Sequence, residues 1–172
     1  PREMMGGQVG PETCHITGRR LRMELRVATA LFGHMGMELN LLHETEANLS
    51  ILKAGIALHK RHRALLHQGD FHRLDTPSHI NAVGVVAQDR SEALLSWCNL
   101  TGHRETVPGR MFFAGLDKTK HYRVQIVWPD PVKSVSAPSV LDATGLGHGG
   151  MVVPGEALIL MGLQMPLLHP ET

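Results

Sequence analysis

The sequence predicts an α+β protein in two parts, with helices first and an antiparallel sheet after them. Three observations carry this. Apolar residues recur every three to four positions in two stretches before Gly69. Past Pro77 they instead alternate along short runs that break at Asp-containing turns. Apolar residues make up 42% of the 172 and charged residues 19%, a balance that allows a buried core and argues against disorder.

The first helix is read from its apolar face. Residues 1 to 18 are rich in Gly, Pro and small polar side chains, and read as a short strand or loop leading in. Thr17 and Gly18 stand where an N-cap belongs. Leu21, Leu25, Ala28, Phe32 and Met35 then follow helical spacing, with the charges mostly on the opposite face. Gly33 and Gly36 weaken the last turn and help to end it. The second helix is expected over Glu46 to His67. Thr45 is its N-cap, Glu46 is the acid of its first turn, and Leu49, Leu52, Ile56 and Leu66 lie on one face. Lys60, Arg61 and Arg63 complement the dipole near its end, and Gly69 stops it.

Strands follow. Ala82 to Leu100 reads as two strands around an Asp89-Arg90-Ser91 turn. Arg110 to Trp128 repeats the theme about Asp117 to Thr119, with Tyr122, Val124, Ile126 and Trp128 alternating. Ser134 to Gly150 is expected to be a long loop, and "GEALILMGL" (155–163) a closing strand.

Several functional classes are disfavoured by residue chemistry. A formal net charge of +1 supplies no broad field for nucleic acid or an acidic membrane. Aromatics at 4% leave little for stacking platforms. The two cysteines, Cys14 and Cys98, form no disulfide framework or paired metal motif, which fits a cytoplasmic setting. The apolar runs are shorter than a membrane span and no secretory signal pattern is seen. The chain opens on Pro1, so it is read as a segment of something longer.

The twelve histidines invite a metal reading, but no set converges. His59 and His62 are three apart on a helix, followed by His67 and His72. "HETEA" at His43 lacks the second histidine of a zinc-protease motif. These histidines are read as surface or capping groups, with no metal and no cofactor. "HKRHR" (59–63) reads as a solvated helix face. Asp70, Asp75, Asp89, Asp117, Asp130 and Asp142 form no facing pair, and Asp89 and Asp117 suit turns. There is no G-x-S-x-G, P-loop or G-x-G-x-x-G, and "GLGHGG" (145–150) opens no apolar helix. On residue chemistry alone the chain holds no complete active site.

The blocks "MGGQVGP", "CHITGRR", "ATALFGHMGMELNL" and "LHKRHRALLHQGDFHRLD" resemble the C-terminal part of bacterial α-galactosidases of glycoside hydrolase family 36. "AVGVVAQDRSEALL" and "FFAGLDKTKHYRV" fit that family's tail. The resemblance implies that residues 1–76 are the C-terminal end of a (β/α)8 barrel, followed over 77–172 by an antiparallel, β-sandwich-like domain. "MMGGQV" would be the last barrel strand and Arg19 to Met37 the helix after it. The implied reaction is retaining hydrolysis of terminal α-linked galactose, as in raffinose or melibiose. It uses two carboxyl groups about 5–5.5 Å apart. In the family both are aspartates in motifs upstream of this segment. No catalytic residue is therefore assigned here, and the chain alone is expected to be inactive.

The resemblance implies that many relatives carry His where this chain has Gln8, in a Met-Gly-x-His-Val pattern. Barrel strands end at the active site, so Gly7 and Gln8, within Met5 to Val9, are the candidate substrate-binding residues, with a purely structural position as the equal alternative. The expected partners are α-galactoside sugars in the intact enzyme, and either a second copy of the chain or the missing N-terminal part. No nucleic acid or membrane partner is expected. With most of a barrel absent, Leu21, Leu25 and Phe32 are expected to form an exposed apolar patch. The rival reading is a non-catalytic β-sandwich module that binds carbohydrate or a partner. It needs an exposed aromatic platform, for which Trp97, Tyr122 and Trp128 are available.

Overall fold

A computed structural model of the chain describes residues 4–100, 109–129, 145–146 and 149–165. Two compact units divide it, one of Pro1–Gly69 and one that begins at Asp70.

The first unit is built on a strand–helix–strand crossover. β1 (Gly6–Val9) leads through a loop to α1 (Met23–Leu31), which returns to β2 (His34–Met37). β2 lies parallel to β1, with Gly6 opposite His34 and Val9 opposite Met37. A 3-10 turn (Leu41–His43) then enters α2 (Glu46–Gln68). α1 packs on both strands and on α2.

The first helix is shorter than its apolar spacing implies. Thr17 and Gly18 do not cap it. They close a turn in which Gly18 takes φ 68° and its N–H reaches the Cys14 carbonyl at 2.8 Å. Arg22 is the N-cap, and its side chain, which has no acceptor, forms no cap hydrogen bond. At the other end, Gly33, Met35 and Gly36 belong to no helix. The His34 N–H donates to the Met5 carbonyl at 2.9 Å, which starts the pairing with β1. A Cβ on Gly33 would lie 2.9 Å from the Met5 carbonyl oxygen, and one on Gly36 would lie 2.6 Å from Gln8 Oε1. These glycines serve close strand approach, and that tertiary constraint overrides the helical period.

α2 runs as read from the sequence and one residue further. The Thr45 hydroxyl accepts from the Asn48 N–H at 3.2 Å, and the Gly69 N–H closes on the Leu65 carbonyl at 2.8 Å. Leu52 and Leu66 are buried, whereas Leu49 is exposed. The expected apolar patch on α1 is corrected. Leu25 and Phe32 are buried within this chain, and the exposed apolar side chains of this unit include Met37, Leu41 and Leu42.

The second unit holds a three-stranded antiparallel sheet, β3 (Asp70–Arg73), β4 (Ile80–Val86) and β5 (Ala93–Asn99), in that order. The β4–β5 hairpin turns where expected. Asp89 Oδ1 accepts from the Ser91 N–H at 3.0 Å and Arg90 takes φ 57°. The face carrying Ile80, Ala82 and Val86 meets Met111, Phe113, Leu116 and Leu158 in the core.

The expected second hairpin is not formed. β6 (Arg110–Met111) pairs with β9 (Leu163–Gln164), and β7 (His121–Val124) pairs with β8 (Met151–Pro154), both antiparallel. The Asp117 turn itself exists, with Asp117 Oδ1 accepting from the Thr119 N–H at 2.9 Å. The residues before it are drawn elsewhere, because Phe113 and Leu116 enter the core and the Phe113 N–H donates to the Leu158 carbonyl at 3.2 Å. Ile126 and Trp128 fall outside β7.

The closing strand is also corrected. Residues 155–160 form a short helix, α3 (Gly155–Leu160), ended by Gly162 at φ 64°. Gly155 lacks the Cβ that would collide with the Asp117 carbonyl, and Leu158 is buried. A short apolar run has no period of its own to separate helix from strand, so packing decided. Most of the expected 134–150 loop lies outside the described residues. Among the described residues no helix is long and apolar enough to cross a membrane.

Two glycine substitutions separate close approach from empty space. Gly33→Ala should cost about 1–3 kcal/mol, because backbone atoms must give way. Gly10→Ala, with nothing within 4 Å of the added Cβ, should move stability by less than about 0.5 kcal/mol. Urea unfolding compares them, and equal costs would contradict the packing described.

Candidate functional site

Alternation along β1 separates the two candidate residues. A Cβ on Gly7 would lie 2.7 Å from the Ala30 carbonyl oxygen, so this residue faces α1 and is small because the helix is close. Val9, two residues on, is fully buried. Gln8 therefore projects to the opposite face, where it is exposed and where Gly36, its partner on β2, leaves room for its amide.

The end of β1 is held by a buried charge network that the sequence reading missed. Arg26 of α1 sends Nη1 to the Gly10 carbonyl at 3.0 Å and to Glu44 Oε1 at 2.6 Å. Its Nη2 reaches Glu44 Oε2 at 3.2 Å, which makes the pair bidentate. The Asn48 amide donates to Glu44 Oε2 at 2.6 Å. The Arg26 side chain is 2% exposed and that of Glu44 8%. Beside it, the Glu38 N–H donates to the Val9 carbonyl at 3.0 Å. The loop after β1, the first turns of both helices and the segment before α2 thus meet at one ion pair. A signal was present: Arg26 stands with Met23, Val27 and Ala30 in the i, i+3, i+4, i+7 stripe of α1, and so inside the helix's apolar face. The reading that put the charges of this helix mostly on the outer face holds for others but not for Arg26.

Several of the other singled-out residues take part in local structure. His59 is buried, and its Nδ1 lies 3.2 Å from the Leu31 carbonyl, so the ring caps the end of α1. His34 and His67 meet edge to face at 4.4 Å. Among the described residues no cluster of His, Cys, Asp or Glu could hold a metal ion. Lys60, Arg61 and Arg63 are exposed, but His59 is buried and His62 half-buried, so the 59–63 run is a solvated face only in part. Asp89 and Asp117 are held below the ordinary carboxylate value, first by the hydroxyls of Ser91 and Thr119 respectively. Both are turn groups that stay ionised, which is unsuited to a proton donor. Asp130 and Asp142 lie outside the described residues, as does part of "GLGHGG". Trp97 and Tyr122 pack against the core, and the Tyr122 hydroxyl joins the turns by donating to the Arg90 carbonyl at 2.8 Å. Trp128 is half-buried. These three rings form no exposed platform of the kind the rival reading needs.

On β1 the geometry thus leaves Gln8 as an exposed polar side chain, and comparison with known proteins gives the family. Residues 1–69 match the Melibiase family, and residues 80–171 match the glycosyl hydrolase family 36 C-terminal domain. The chain belongs to glycosyl hydrolase family 36. An α-galactosidase of Escherichia coli is 33% identical over 175 residues, covering 100% of this chain and 25% of that protein. A variant of a Geobacillus stearothermophilus family 36 α-galactosidase, crystallised in complex with raffinose, superposes with a TM-score of 0.80 at 26% identity. It covers 98% of this chain and 21% of that one. Another variant, in complex with 1-deoxygalactonojirimycin, gives 0.78 at 27% identity, over 96% and 20%. The chain spans about a quarter or less of the length of these relatives.

The buried pair makes a stability prediction. Removing either charge leaves the other buried and uncompensated, so Arg26→Met or Glu44→Gln should each cost roughly 3–5 kcal/mol. The Glu44 carboxyl is held below its ordinary value of 4.5, first by the hydrogen bond from Arg26, with burial opposing. Its contribution is therefore complete above that ordinary value and is lost as the pH falls through the depressed folded value. Urea midpoints measured at descending pH should show this loss in the unmodified chain and not in Glu44→Gln. Parallel pH profiles would contradict it.

Proposed function

We propose that this chain is the C-terminal portion of an α-galactosidase, a retaining glycoside hydrolase that releases terminal α-linked galactose from sugars such as raffinose or melibiose. The observation that carries the reading is the pair of family matches, Melibiase over residues 1–69 and the family 36 C-terminal domain over 80–171. The raffinose bound by a structural relative supports the substrate class.

In this reading the chain runs from the end of a (β/α)8 barrel (1–76) into an antiparallel, β-sandwich-like C-terminal domain (77–172). The parallel β1–α1–β2 crossover supports the first half of that statement, since parallel strands joined through a helix are the repeat of such barrels. The small antiparallel sheets after Asp70 support the second. The two catalytic aspartates belong to upstream strands, and no residue of this chain is catalytic. Gln8 is the residue that approaches the sugar, and Gly7 keeps β1 against α1. The exposed Met37, Leu41 and Leu42 support association of the first unit with further protein, either the upstream part or a second copy. A cytoplasmic setting fits a chain whose two cysteines, Cys14 and Cys98, are not joined to each other in a disulfide.

The test is direct. The purified chain should leave p-nitrophenyl α-galactoside uncleaved. The same chain joined to the upstream part of the Escherichia coli α-galactosidase should cleave it. Turnover by the isolated chain would contradict upstream carboxylates, and an inactive joined protein would contradict the assignment.

A further inference from the structure

We infer that Arg26 is a positioning residue for the sugar site, acting through the end of β1. This rests on the reading of Gln8 as the residue that approaches the sugar. The Arg26 guanidinium is divided between Glu44 and the Gly10 carbonyl, two residues beyond Gln8. The peptide segment that leaves β1 is thereby tied to α1 and to the approach to α2 at one point. Glu44 is itself fixed by the Asn48 amide, and Asn48 N–H is held by the Thr45 cap. The side chains of Arg26 and Glu44 are almost wholly removed from water, so the pair acts through the backbone it holds.

A purely apolar contact could pack α1 on β1, as Gly7 against Ala30 already does. It would not hold the Gly10 carbonyl beyond the ladder, because apolar packing is non-directional. A bidentate guanidinium shared with that carbonyl gives the departing segment a directional anchor. The carbonyl chosen is the one just past the strand, where a shift of the chain moves Gln8 relative to whatever lies on its open face.

The experiment uses the joined enzyme described above and a double-mutant cycle between Arg26 and Gln8, reading KM and kcat for raffinose in protein verified as folded by circular dichroism. Gln8→Ala and Arg26→Lys should each raise KM, with kcat changed less. Arg26→Lys keeps the charge but loses the bidentate fork. In the double variant the Arg26→Lys effect should largely vanish, giving a coupling of about five- to tenfold in KM. Glu44→Gln, which removes the charge partner of Arg26, should couple to Gln8 in the same sense where the variant is verified as folded.

Additive effects of Arg26→Lys and Gln8→Ala would reduce Arg26 to a stability residue and overturn the proposal. A Gln8→Ala enzyme with unchanged KM would overturn the assignment of Gln8, and the positioning role with it. Unmodified joined protein without activity would overturn the functional reading itself. The three failures are distinct.

Discussion

The first unit depends on one ion pair. Arg26 and Glu44 lie where the loop after β1, the start of α1 and the approach to α2 come together. Withdrawing two charges from water is unfavourable, and their attraction alone rarely offsets it. Here the Gly10 carbonyl and the Asn48 amide meet part of the remaining polar valence, while Arg26 Nε has no hydrogen-bond partner among the described residues. Such a network contributes geometry more than stability. An apolar pair of similar volume would fill the space, but it would leave the Gly10 carbonyl, just past the strand, without the bond from Arg26.

Around that point the chain is brought close by glycine. Gly7 admits the Ala30 carbonyl, Gly33 admits Met5, and Gly36 admits the Gln8 side chain. Together they let a helix and two parallel strands of four residues each pack at short distance. The same device recurs in the second unit, where Gly155 starts α3 beneath the Asp117 carbonyl. Small residues set the distances, the β1–β2 ladder sets the register, and the polar network ties down the segment that leaves β1.

These devices explain what could be read from the residues and what could not. α2 was legible because its signals are local: Thr45, Glu46 and Gly69 act within a turn of their own positions. The β4–β5 hairpin was legible for the same reason, through Asp89 and Ser91. α1 was overextended because Gly33 and Gly36 read as weak helix residues until the partner strand is known. The Asp117 turn was found but its strands were mispaired. A turn specifies reversal of the chain, whereas pairing of β6 with β9 follows from burial of Phe113 and Leu158 far apart in sequence. At the candidate site, Gln8 was named from its place in a motif. Arg26 was visible as a charge inside an apolar stripe, but its partner Glu44 is eighteen residues away with no periodic relation to it.

The most direct measurement is a crystal structure of the joined enzyme with 1-deoxygalactonojirimycin, the ligand carried by one structural relative. The account predicts the Gln8 amide within about 3 Å of a ligand hydroxyl or of a water bridging to one, with Arg26 still shared between Glu44 and the Gly10 carbonyl. A ligand seated away from the Gln8 face of β1, or a Gly10 segment released from Arg26 with the ligand properly bound, would contradict it.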